Sequence, residues 1–373
     1  MVLIYGHPEY YPPTLNAIDE LSNTFDDITI LHRPFLNNAW SYKENVYLVE
    51  SGKKINVKQQ EKSGTLKKVF YYMQFTLNLF KLLFSKKYDT ILVYDYLPML
   101  SLYLVRPFLN KKTKLWYHNH DIASFDNLRK YSIGWLALHA EHKLMKRFDI
   151  FSLPAKERLS CFCISDKTKI FIMPNYPSKK RYKELSEDIK KSSNTYLVYQ
   201  GTIGEGHGLE AITEAINSSK QLADYRLNLI GNISEEFKSE LEQLNSKRRI
   251  DYLGYISYNQ LPSITAQYHI GIAVNVPNDI IYKTGGSASN KIYEYAACGL
   301  PILYFDDPHY SEYLSRFEWA LATDLSTESI EKCILEIMNN HEYLSQKARA
   351  DFEHKLNFEK VFEPVVSNLK DLS

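Results

Sequence analysis

Residues 287–303 read SASNKIYEYAACGLPIL, and this stretch decides how the chain is understood. It opens with three residues of the types that favour a helix N-cap: Ser287, Ser289 and Asn290. The run that follows has helical periodicity and ends at Gly299, with Pro301 just beyond, which is typical of a helix stop. The apolar and aromatic residues 302–305 then predict a buried strand.

The predicted helix offers a site for an anion. A helix that begins behind small polar residues presents free backbone N–H groups and the positive end of its dipole. Lys291 adds a cation in the first turn, and Glu294, one turn farther along, can accept hydrogen bonds from hydroxyls beside the anion. A phosphate next to a diol describes a nucleotide-sugar. The alternative is a capped surface helix in which Lys291 and Glu294 pair as i,i+3 neighbours.

Length and composition place the chain among ordinary globular proteins. With 373 residues, 45% of them hydrophobic, it is expected to form two or three domains. Its four cysteines include one close pair, C-F-C, which suits neither a zinc site nor a disulfide framework. Reduced thiols and an N-terminus that does not resemble a signal peptide predict a cytoplasmic protein. The apolar stretch 69–84 is too short and too polar to span a membrane.

Charge is spread unevenly along the chain. Residues 1–178 hold 24 Lys and Arg against 16 Asp and Glu, whereas the remainder holds 21 against 28. A basic half and an acidic half suggest different partners, and the basic half could face anionic lipid at the cytoplasmic face of the membrane or a polyanionic substrate. The alternative is an ordinary solvated surface with attraction between the halves.

Strand-like and helix-like segments alternate along the whole chain. Short β-branched or aromatic runs such as Thr90–Tyr94 and Lys114–His118 are separated by helical segments, and the pattern restarts at Tyr196. Such alternation predicts an α/β protein with two Rossmann-like domains, each built on a parallel sheet. We expect an N-terminal domain, a linker, a C-terminal domain and a final helix that packs back on the first domain: 1–178, 179–194, 195–356 and 357–373.

Glycines mark the second half as the nucleotide-binding half. Ten of the 14 glycines lie between residues 201 and 299, and several follow predicted strands. Ligands of such sheets bind outside the carboxyl ends of the strands. The motif G-T-I-G-E-G-H-G, residues 201–208, would let the backbone approach a phosphate just before a helix, although it matches a dinucleotide fingerprint only loosely. The alternative is a plain strand-to-helix turn.

The first half carries histidines and tyrosines after its strands. The motif W-Y-H-N-H-D, residues 116–121, contains His118, His120 and Asp121, and an earlier turn contains Gly6, His7, Tyr10 and Tyr11. These side chains suit contact with a sugar or an acceptor, and the alternative is a set of structural loop residues. His-x-His lacks a third ligand at convincing spacing and no Asp-x-Asp occurs, so no metal is expected.

The segment 65–87, TLKKVFYYMQFTLNLFKLLFSKK, is basic at both ends and aromatic in the middle. Two interpretations are open: a helix that lies on a membrane surface, and a helix that covers the sheet of the first domain. The second is preferred here, because many of these apolar residues must cover the sheet.

These motifs together resemble the retaining family-four type of GT-B glycosyltransferase. The resemblance extends over nearly the whole chain and includes N-H-D, a helix beginning near Glu141, I-F-I-M-P-N-Y-P at 170–177 and D-Y-L-G-Y-I at 251–256. Its most specific part is S-N-K-I-Y-E-Y-A-A-C-G-L-P-I-L at 289–303. The resemblance implies a GT-B fold, in which two Rossmann-like domains face each other across a cleft.

The resemblance also implies roles for individual residues. His120 would contact the transferred sugar, Glu294 the ribose hydroxyls, and Lys291 the diphosphate, and we expect these three to carry catalysis. Further donor contacts are expected from the second domain, at Gly201, Thr202, Ile203, Gly231, Tyr255, Gly286, Ser287, Ser289 and Asn290. The acceptor side would include Gly6, His7, Tyr10, Tyr11, His118 and Asp121.

Two departures from the family pattern are visible. Gly286 stands where the family has the first glutamate of its paired-glutamate motif, so a sugar-contacting carboxylate is missing. Thr202 and Glu205 stand where the family has a basic pair, and Lys291 would supply part of that charge.

The sequence therefore predicts a metal-independent glycosyltransferase in surface polysaccharide or glycoconjugate biosynthesis. It would use a UDP- or GDP-type nucleotide-sugar as donor, a glycan or lipid-linked acceptor and no other cofactor, and it would not bind nucleic acid. Two alternatives stay open: a GT-B-fold nucleotide-sugar epimerase, and a catalytically degenerate nucleotide-sugar- or glycan-binding protein.

Overall fold

Two parallel sheets organise the chain, one in each of two compact units. The N-terminal unit comprises Met1–Pro174 and Val361–Ser373, and the C-terminal unit comprises Asn175–Lys360. The protein is described from a computed structural model for the following residues: 1–34, 40–54, 64–183, 185, 195–276 and 284–372.

The N-terminal unit contains a seven-stranded sheet in the order β3-β2-β1-β4-β5-β6-β7, in which all neighbouring strands are parallel. Its strands and helices are β1 (Val2–Ile4), α1 (Pro12–Thr24), β2 (Ile28–His32), β3 (Val46–Glu50), α2 (Thr65–Ser85), β4 (Thr90–Tyr94), α3 (Met99–Val105), β5 (Lys114–His118), α4 (Ile133–Leu144), β6 (Ile150–Leu153) and β7 (Lys169–Ile172). Short 3-10 turns lie at Pro8–Tyr10, Arg106–Phe108, Phe125–Asn127, Met145–Arg147 and Lys156–Cys161.

The residues of this sheet explain why it is parallel. Strands β1, β2 and β6 are buried at every position, as expected for strands covered on both faces. The order of strands reverses between β1 and β4, so the carboxyl ends of β1, β4 and β5 meet at the point where such folds bind ligands.

The C-terminal unit contains a six-stranded parallel sheet in the order β10-β9-β8-β11-β12-β13. Its elements are α5 (Lys179–Tyr182), β8 (Thr195–Ile203), α6 (Leu209–Ser218), β9 (Tyr225–Ile233), α7 (Glu235–Leu244), β10 (Ile250–Gly254), α8 (Leu261–Thr265), β11 (Ile270–Ile272), α9 (Gly285–Ala288), α10 (Asn290–Ala297), β12 (Ile302–Phe305), α11 (Pro308–Leu314), β13 (Ala320–Thr323), α12 (Thr327–Asn339) and α13 (His341–His354). Helix α14 (Phe358–Leu372) begins in this unit and continues into the N-terminal unit.

The predicted and observed positions of strands and helices agree closely in segments with an unbroken apolar or periodic pattern. Strands β4, β5 and β12 have the predicted bounds, and helices α10 and α14 lie where helices were predicted. The helix expected near Glu141 begins earlier, at Ile133, because Ser132 Oγ accepts a hydrogen bond from the Trp135 N–H and caps α4 there. Glu141 instead lies inside α4, where it is buried.

The segment predicted as a linker is described in part. Residues 184 and 186–194 lie outside the described structure. Before them, α5 belongs to the C-terminal unit, where the fully buried Tyr182 packs against Phe352 and Ala297. The Glu359 carboxylate accepts hydrogen bonds from Ser178 Oγ (2.6 Å) and the Lys179 N–H (3.0 Å).

Candidate functional site

Two glycines bring the carboxyl ends of β8 and β9 unusually close together. Gly201 and Gly231 are directly paired across the two strands and have φ angles of +130° and +146°. A Cβ atom on Gly231 would lie 1.7 Å from the Gly201 carbonyl oxygen, so only glycine fits this position. The predicted phosphate turn is therefore a site of bare, accessible backbone at the end of two central strands.

Helix α10 is fixed to this edge by Tyr295. The Tyr295 hydroxyl accepts a hydrogen bond from the Gln200 N–H (2.9 Å) and donates to the Val198 carbonyl (3.1 Å). Its ring occupies the space beside Gly271, where a Cβ atom would come within 2.4 Å of it. These contacts set the position of the side chains on the same helix, including Lys291 and Glu294.

Lys291 lies over the Gly201 turn. Its Nζ donates to the Tyr199 hydroxyl (2.8 Å) and lies 4.1 Å from the centre of the Tyr199 ring. That hydroxyl in turn donates to the Thr202 carbonyl (2.7 Å), and the Lys291 Cε lies 3.7 Å from where a Gly201 Cβ would be. Burial lowers the pKa of Lys291 to about 7, with Glu294 acting in the opposite direction.

Glu294 is buried inside the C-terminal unit, with 6% of its surface exposed. Its carboxylate accepts hydrogen bonds from Gln200 Nε2 and from Tyr258, and Gln200 Oε1 accepts from Thr265 Oγ1 (2.9 Å). Burial raises the pKa of Glu294 to about 7, against the opposing effects of Arg181 and of these hydrogen bonds. The carboxylate thus faces protein donors in this structure, whereas the sequence predicted that it would face ligand hydroxyls.

The first turn of α10 has no side-chain cap. Ser289 occupies the N-cap position with extended backbone, but its hydroxyl makes no capping hydrogen bond. The adjacent Asn290 Oδ1 is buried and has no hydrogen-bond partner among the described residues. The first N–H groups of the helix therefore lack the side-chain acceptor that most N-caps supply, as suits an anion site. The Ser287 side chain lies outside the described structure.

Gly286, where the resemblance led us to expect a glutamate, packs away from open space. Its carbonyl accepts a hydrogen bond from the Tyr293 hydroxyl (2.5 Å). A Cβ atom at this position would lie 3.1 Å from the Tyr313 Cβ on α11. A longer side chain would therefore start against α11.

The other expected donor residues differ in exposure. Thr202 and Tyr255 are exposed, but the Ile203 side chain is buried in the core, so only its backbone is free to meet a ligand. His207, which the sequence analysis did not single out, is buried beside Lys291, with its Nδ1 2.6 Å from Asn275 Oδ1. Burial and then Lys291 lower its pKa to about 4, so it is neutral at pH 7.

In the N-terminal unit, His120 is enclosed at the carboxyl ends of β1, β4 and β5. Its ring is stacked between Tyr11 and Tyr94, at 4.5 and 4.9 Å between ring centres. Its Nδ1 lies 3.0 Å from Asp95 Oδ2 and its Nε2 3.1 Å from Thr14 Oγ1. Both ring nitrogens of His120 are thus engaged, and the expected sugar contact would require one of them to exchange partners.

Two further residues of the 116–121 motif, His118 and Asp121, were expected on the acceptor side. His118 lies near His120, with ring centres 4.7 Å apart, and its Nδ1 lies 2.8 Å from Ser152 Oγ. Asp121 is exposed at the end of the same loop. Burial, together with the neighbouring His120, keeps the pKa of His118 well below its usual value.

The Gly6–Tyr11 turn contributes unevenly to this cluster. The buried His7 accepts a hydrogen bond from the Glu9 N–H (3.2 Å) and packs against His32. Burial and then His32 lower the pKa of His7 to about 3, so it is neutral at pH 7. The Gly6 carbonyl accepts from the Arg33 N–H (2.9 Å), and Tyr10 is more than half exposed. Tyr11 of this turn stacks on the His120 ring.

Within the residues that the structure describes, no cluster of three or more His, Cys, Asp or Glu side chains is arranged to hold a metal ion. No described helix combines the length and the apolar character needed to cross a membrane.

The chain is similar to known glycosyltransferases in part of its sequence and in its fold. Residues 210–359 match a family model described as glycosyl transferase-like. A search of the curated proteins finds no match. The fold is similar to a glycosyltransferase from Rickettsia africae (12% identity, TM-score 0.71, covering 100% of this chain and 97% of that one). It is also similar to sucrose-phosphate synthase from Thermosynechococcus elongatus (13%, 0.69, 100% and 98%).

A third similar structure is HepE from Anabaena in complex with UDP and glucose (15% identity, TM-score 0.66, covering 99% of this chain and 98% of that one). The two parallel sheets, the full-length structural matches and the family domain confirm the predicted GT-B fold and the predicted glycosyltransferase.

Proposed function

We propose that this GT-B glycosyltransferase moves a sugar from a UDP- or GDP-type donor to a hydroxyl of a glycan or lipid-linked acceptor, in the assembly of surface polysaccharide or glycoconjugate. The C-terminal unit would bind the donor and the N-terminal unit the acceptor. The reaction would proceed with retention at the sugar carbon and without a metal, at the cytoplasmic face of the membrane. The HepE complex with UDP and glucose supports a UDP-type donor.

The observation that carries the proposal is the position of Lys291 at the end of β8. Its ammonium lies over Gly201, next to bare backbone at Gly231 and on the uncapped first turn of α10. A helix N-terminus, a cation and glycine backbone on one edge of a sheet suit a diphosphate. A bound diphosphate would favour the charged form of Lys291, whose pKa is otherwise lowered by burial.

The proposed chemistry follows from this charge arrangement. As the bond between the sugar carbon and the diphosphate oxygen breaks, negative charge develops on the leaving nucleotide. The Lys291 ammonium and the N–H groups of α10 would stabilise that charge without reorganisation. A bond forms between the acceptor oxygen and the sugar carbon, and the hydroxyl proton passes to an oxygen of the leaving phosphate.

Glu294 would take part by holding the ribose. Its carboxylate has two protein donors, Gln200 and Tyr258, and an exchange of the Tyr258 hydrogen bond for a ribose hydroxyl would keep it satisfied. On the acceptor side, His120 would contact the transferred sugar, with Tyr11, His118 and Asp121 beside it. The Asp95 carboxylate fixes the orientation of the His120 ring.

A thermal-stability screen against UDP, GDP, ADP, CMP and their sugar conjugates, with chelator present, tests the donor site. A ligand that binds the native state raises Tm by mass action. We expect a rise with one nucleoside diphosphate and a smaller rise in Glu294→Ala, whose nucleotide binding should weaken by about 1–3 kcal/mol. The exposed carboxylate variant Glu240→Ala serves as the control and should keep the wild-type rise.

Product analysis then separates the activities. Formation of a glycosylated acceptor with release of the nucleotide supports transfer, and the anomeric configuration of the product tests retention. A new nucleotide-sugar formed from the donor alone would instead support an epimerase. Nucleotide binding without turnover under any acceptor would favour a degenerate binding protein, to which the missing carboxylate at Gly286 points.

A further inference from the structure

Helix α2 carries a stripe of large apolar side chains that the fold of its own unit does not cover. Five of them are each more than half exposed: Leu66, Phe70, Met73, Leu77 and Phe84. Their spacings of four, three, four and seven residues put them on one face of the helix. At 1.5 Å per residue the stripe is about 27 Å long.

The stripe is distinct from the face that packs on the unit. The fully buried residues of α2 are Tyr72, Phe75 and Leu79, which join the core of the N-terminal unit. At about 100° per residue, these three point to the side of the helix opposite the stripe. The sheet-covering interpretation of this helix therefore accounts for one of its apolar faces, whereas the other face stays more than half exposed among the described residues.

Neighbouring residues extend the exposed apolar surface. The rings of Phe80, Phe84 and Phe108 form a cluster with centres 4.5 to 5.5 Å apart. Phe108 and Leu104 are themselves more than half exposed. An exposed apolar surface that runs over two elements is large for a protein without a partner, and such patches mark interaction sites.

The charge around the stripe identifies the kind of partner. Residues 64–88 and 96–120 contain nine Lys and Arg and no Asp or Glu. Seven of these cations are exposed: Lys67, Lys68, Lys81, Lys86, Lys87, Lys111 and Lys112. A second copy of the chain would bring the same positive charges together on this surface, whereas anionic lipid headgroups would neutralise them.

We infer that the outer face of α2, with Leu104 and Phe108, is a docking surface for an anionic lipid bilayer. The apolar stripe would enter the boundary between headgroups and acyl chains while the flanking lysines contact lipid phosphates. The inference deepens the proposed function by naming the surface that would bring the enzyme to a lipid-linked acceptor, and it rests on that function for the acceptor alone. Vesicle binding itself requires no catalysis.

Vesicle flotation of the full chain tests this inference. Two compositions are compared: phosphatidylcholine alone, and phosphatidylcholine mixed with phosphatidylglycerol. We expect the chain to float with the anionic vesicles at least about tenfold more strongly than with the neutral ones, and less so as salt is raised. The double variant Phe70→Gln/Leu77→Gln should reduce this binding by about tenfold or more.

Matched variants separate the stripe from general surface effects. Leu244→Gln on α7 removes an exposed leucine of the C-terminal unit, and Lys247→Gln removes an exposed lysine there. Both should bind anionic vesicles like the wild type, whereas Leu77→Gln and Lys81→Gln should bind more weakly. The buried face of α2 is unchanged in every variant, and an unaltered Tm confirms that each one is folded.

Several outcomes would overturn the inference. Equal binding to both vesicle types, or full binding by the double variant, would remove the stripe from the docking surface. So would sedimentation as a dimer that Leu77→Gln dissociates, because a second copy would then cover the stripe. The donor-dependent rise in Tm is measured on the same samples, so a failure of the donor site is recognised separately from a failure of vesicle binding.

Discussion

The surroundings of His120 in the N-terminal unit differ from those of Lys291 and Glu294 in the C-terminal unit. The protein supplies partners for the His120 ring on every side: Asp95 and Thr14 at its two nitrogens, and Tyr11 and Tyr94 on its two faces. At α10, the protein buries a carboxylate and holds a cation at its edge, and burial shifts the pKa values of Glu294 and Lys291 in opposite directions. In the first region, the side chains around His120 are already paired with its ring. In the second region, two groups of opposite charge lie close together, and burial disfavours the ionised form of each. Groups with strongly shifted pKa values cluster at functional sites, and both regions contain them: Lys291 and Glu294 in the second, His118 in the first.

The largest expected effect on stability concerns the close approach of strands β8 and β9 at Gly201 and Gly231. Gly231→Ala should lower the free energy of unfolding by about 4 kcal/mol or more, because the new Cβ would collide with the Gly201 carbonyl and the φ of +146° suits glycine alone. Urea denaturation measures it. Gly204→Ala, whose Cβ would meet open space, should cost less than about 1 kcal/mol. Similar stability of the two variants would contradict the close strand approach.

Removal of the Lys291 cation tests whether the charge is used. Lys291→Ala should slow nucleotide release from the donor by about 100- to 1000-fold, the usual effect of losing one group that stabilises developing charge. Steady-state kinetics with the donor found in the screen would measure this effect. The exposed Lys220→Ala in the same unit should retain the wild-type rate. A rate within about threefold of wild type would assign Lys291 to structure, since that is under 1 kcal/mol of barrier.

The enclosed region predicts a different pattern for His120→Ala. Loss of the ring removes the side-chain partner of Asp95 Oδ2 and empties the space between two tyrosines, so stability should fall by about 2–3 kcal/mol. Turnover should also fall, while nucleotide affinity stays unchanged because the donor would bind the other unit. Calorimetric titration with the nucleotide and kinetics on the same variant check both. The exposed His354→Ala should alter neither, and wild-type turnover in His120→Ala would make His120 a structural residue.

How much of this was visible in the sequence differs between the two regions. Helix α10 lies where the sequence predicts a helix, because its periodicity, its glycine stop and the buried strand after it are all local signals. The pairing of Gly201 with Gly231 was only indicated, since each glycine follows a strand but the sequence does not show that the strands are neighbours. Tyr295, which fixes α10 to the sheet, looks in sequence like one of 29 tyrosines.

The partners of the charged groups could not be predicted at all. Gln200, Tyr258 and Arg181 surround Glu294 from three separate segments, and only tertiary packing brings them together. In the N-terminal unit, His120 was singled out from its loop, but its enclosure by Thr14, Tyr94 and Asp95 depends on the order of strands β1, β4 and β5. The second apolar face of α2 was implicit in its spacing. It could not be separated from the core face without the structure.

The buried carboxylate predicts a pH-dependent stability. Because the folded pKa of Glu294 is raised to about 7, its stabilising contribution is complete below the unfolded value and is lost as the pH rises through 7. Glu294→Gln should therefore gain about 1–3 kcal/mol relative to wild type between about pH 5 and about pH 8. Urea denaturation at the two pH values measures the gain. A difference independent of pH would mean that the carboxylate is fully compensated when ionised.

The smallest expected effect tests whether the Tyr199 hydroxyl positions the Lys291 ammonium. Tyr199→Phe keeps the ring beneath Lys291 but removes the hydroxyl that accepts from Nζ and donates to the Thr202 carbonyl. Stability should fall by about 1 kcal/mol, as for one neutral hydrogen bond. If the hydroxyl positions the ammonium, kcat should fall by about five- to tenfold with KM for the donor nearly unchanged. Tyr225→Phe, on β9, is the control. Loss of stability without loss of kcat would mean that a bound diphosphate orients Lys291 by itself. Lys291 would then differ from His120, whose orientation is set by protein side chains.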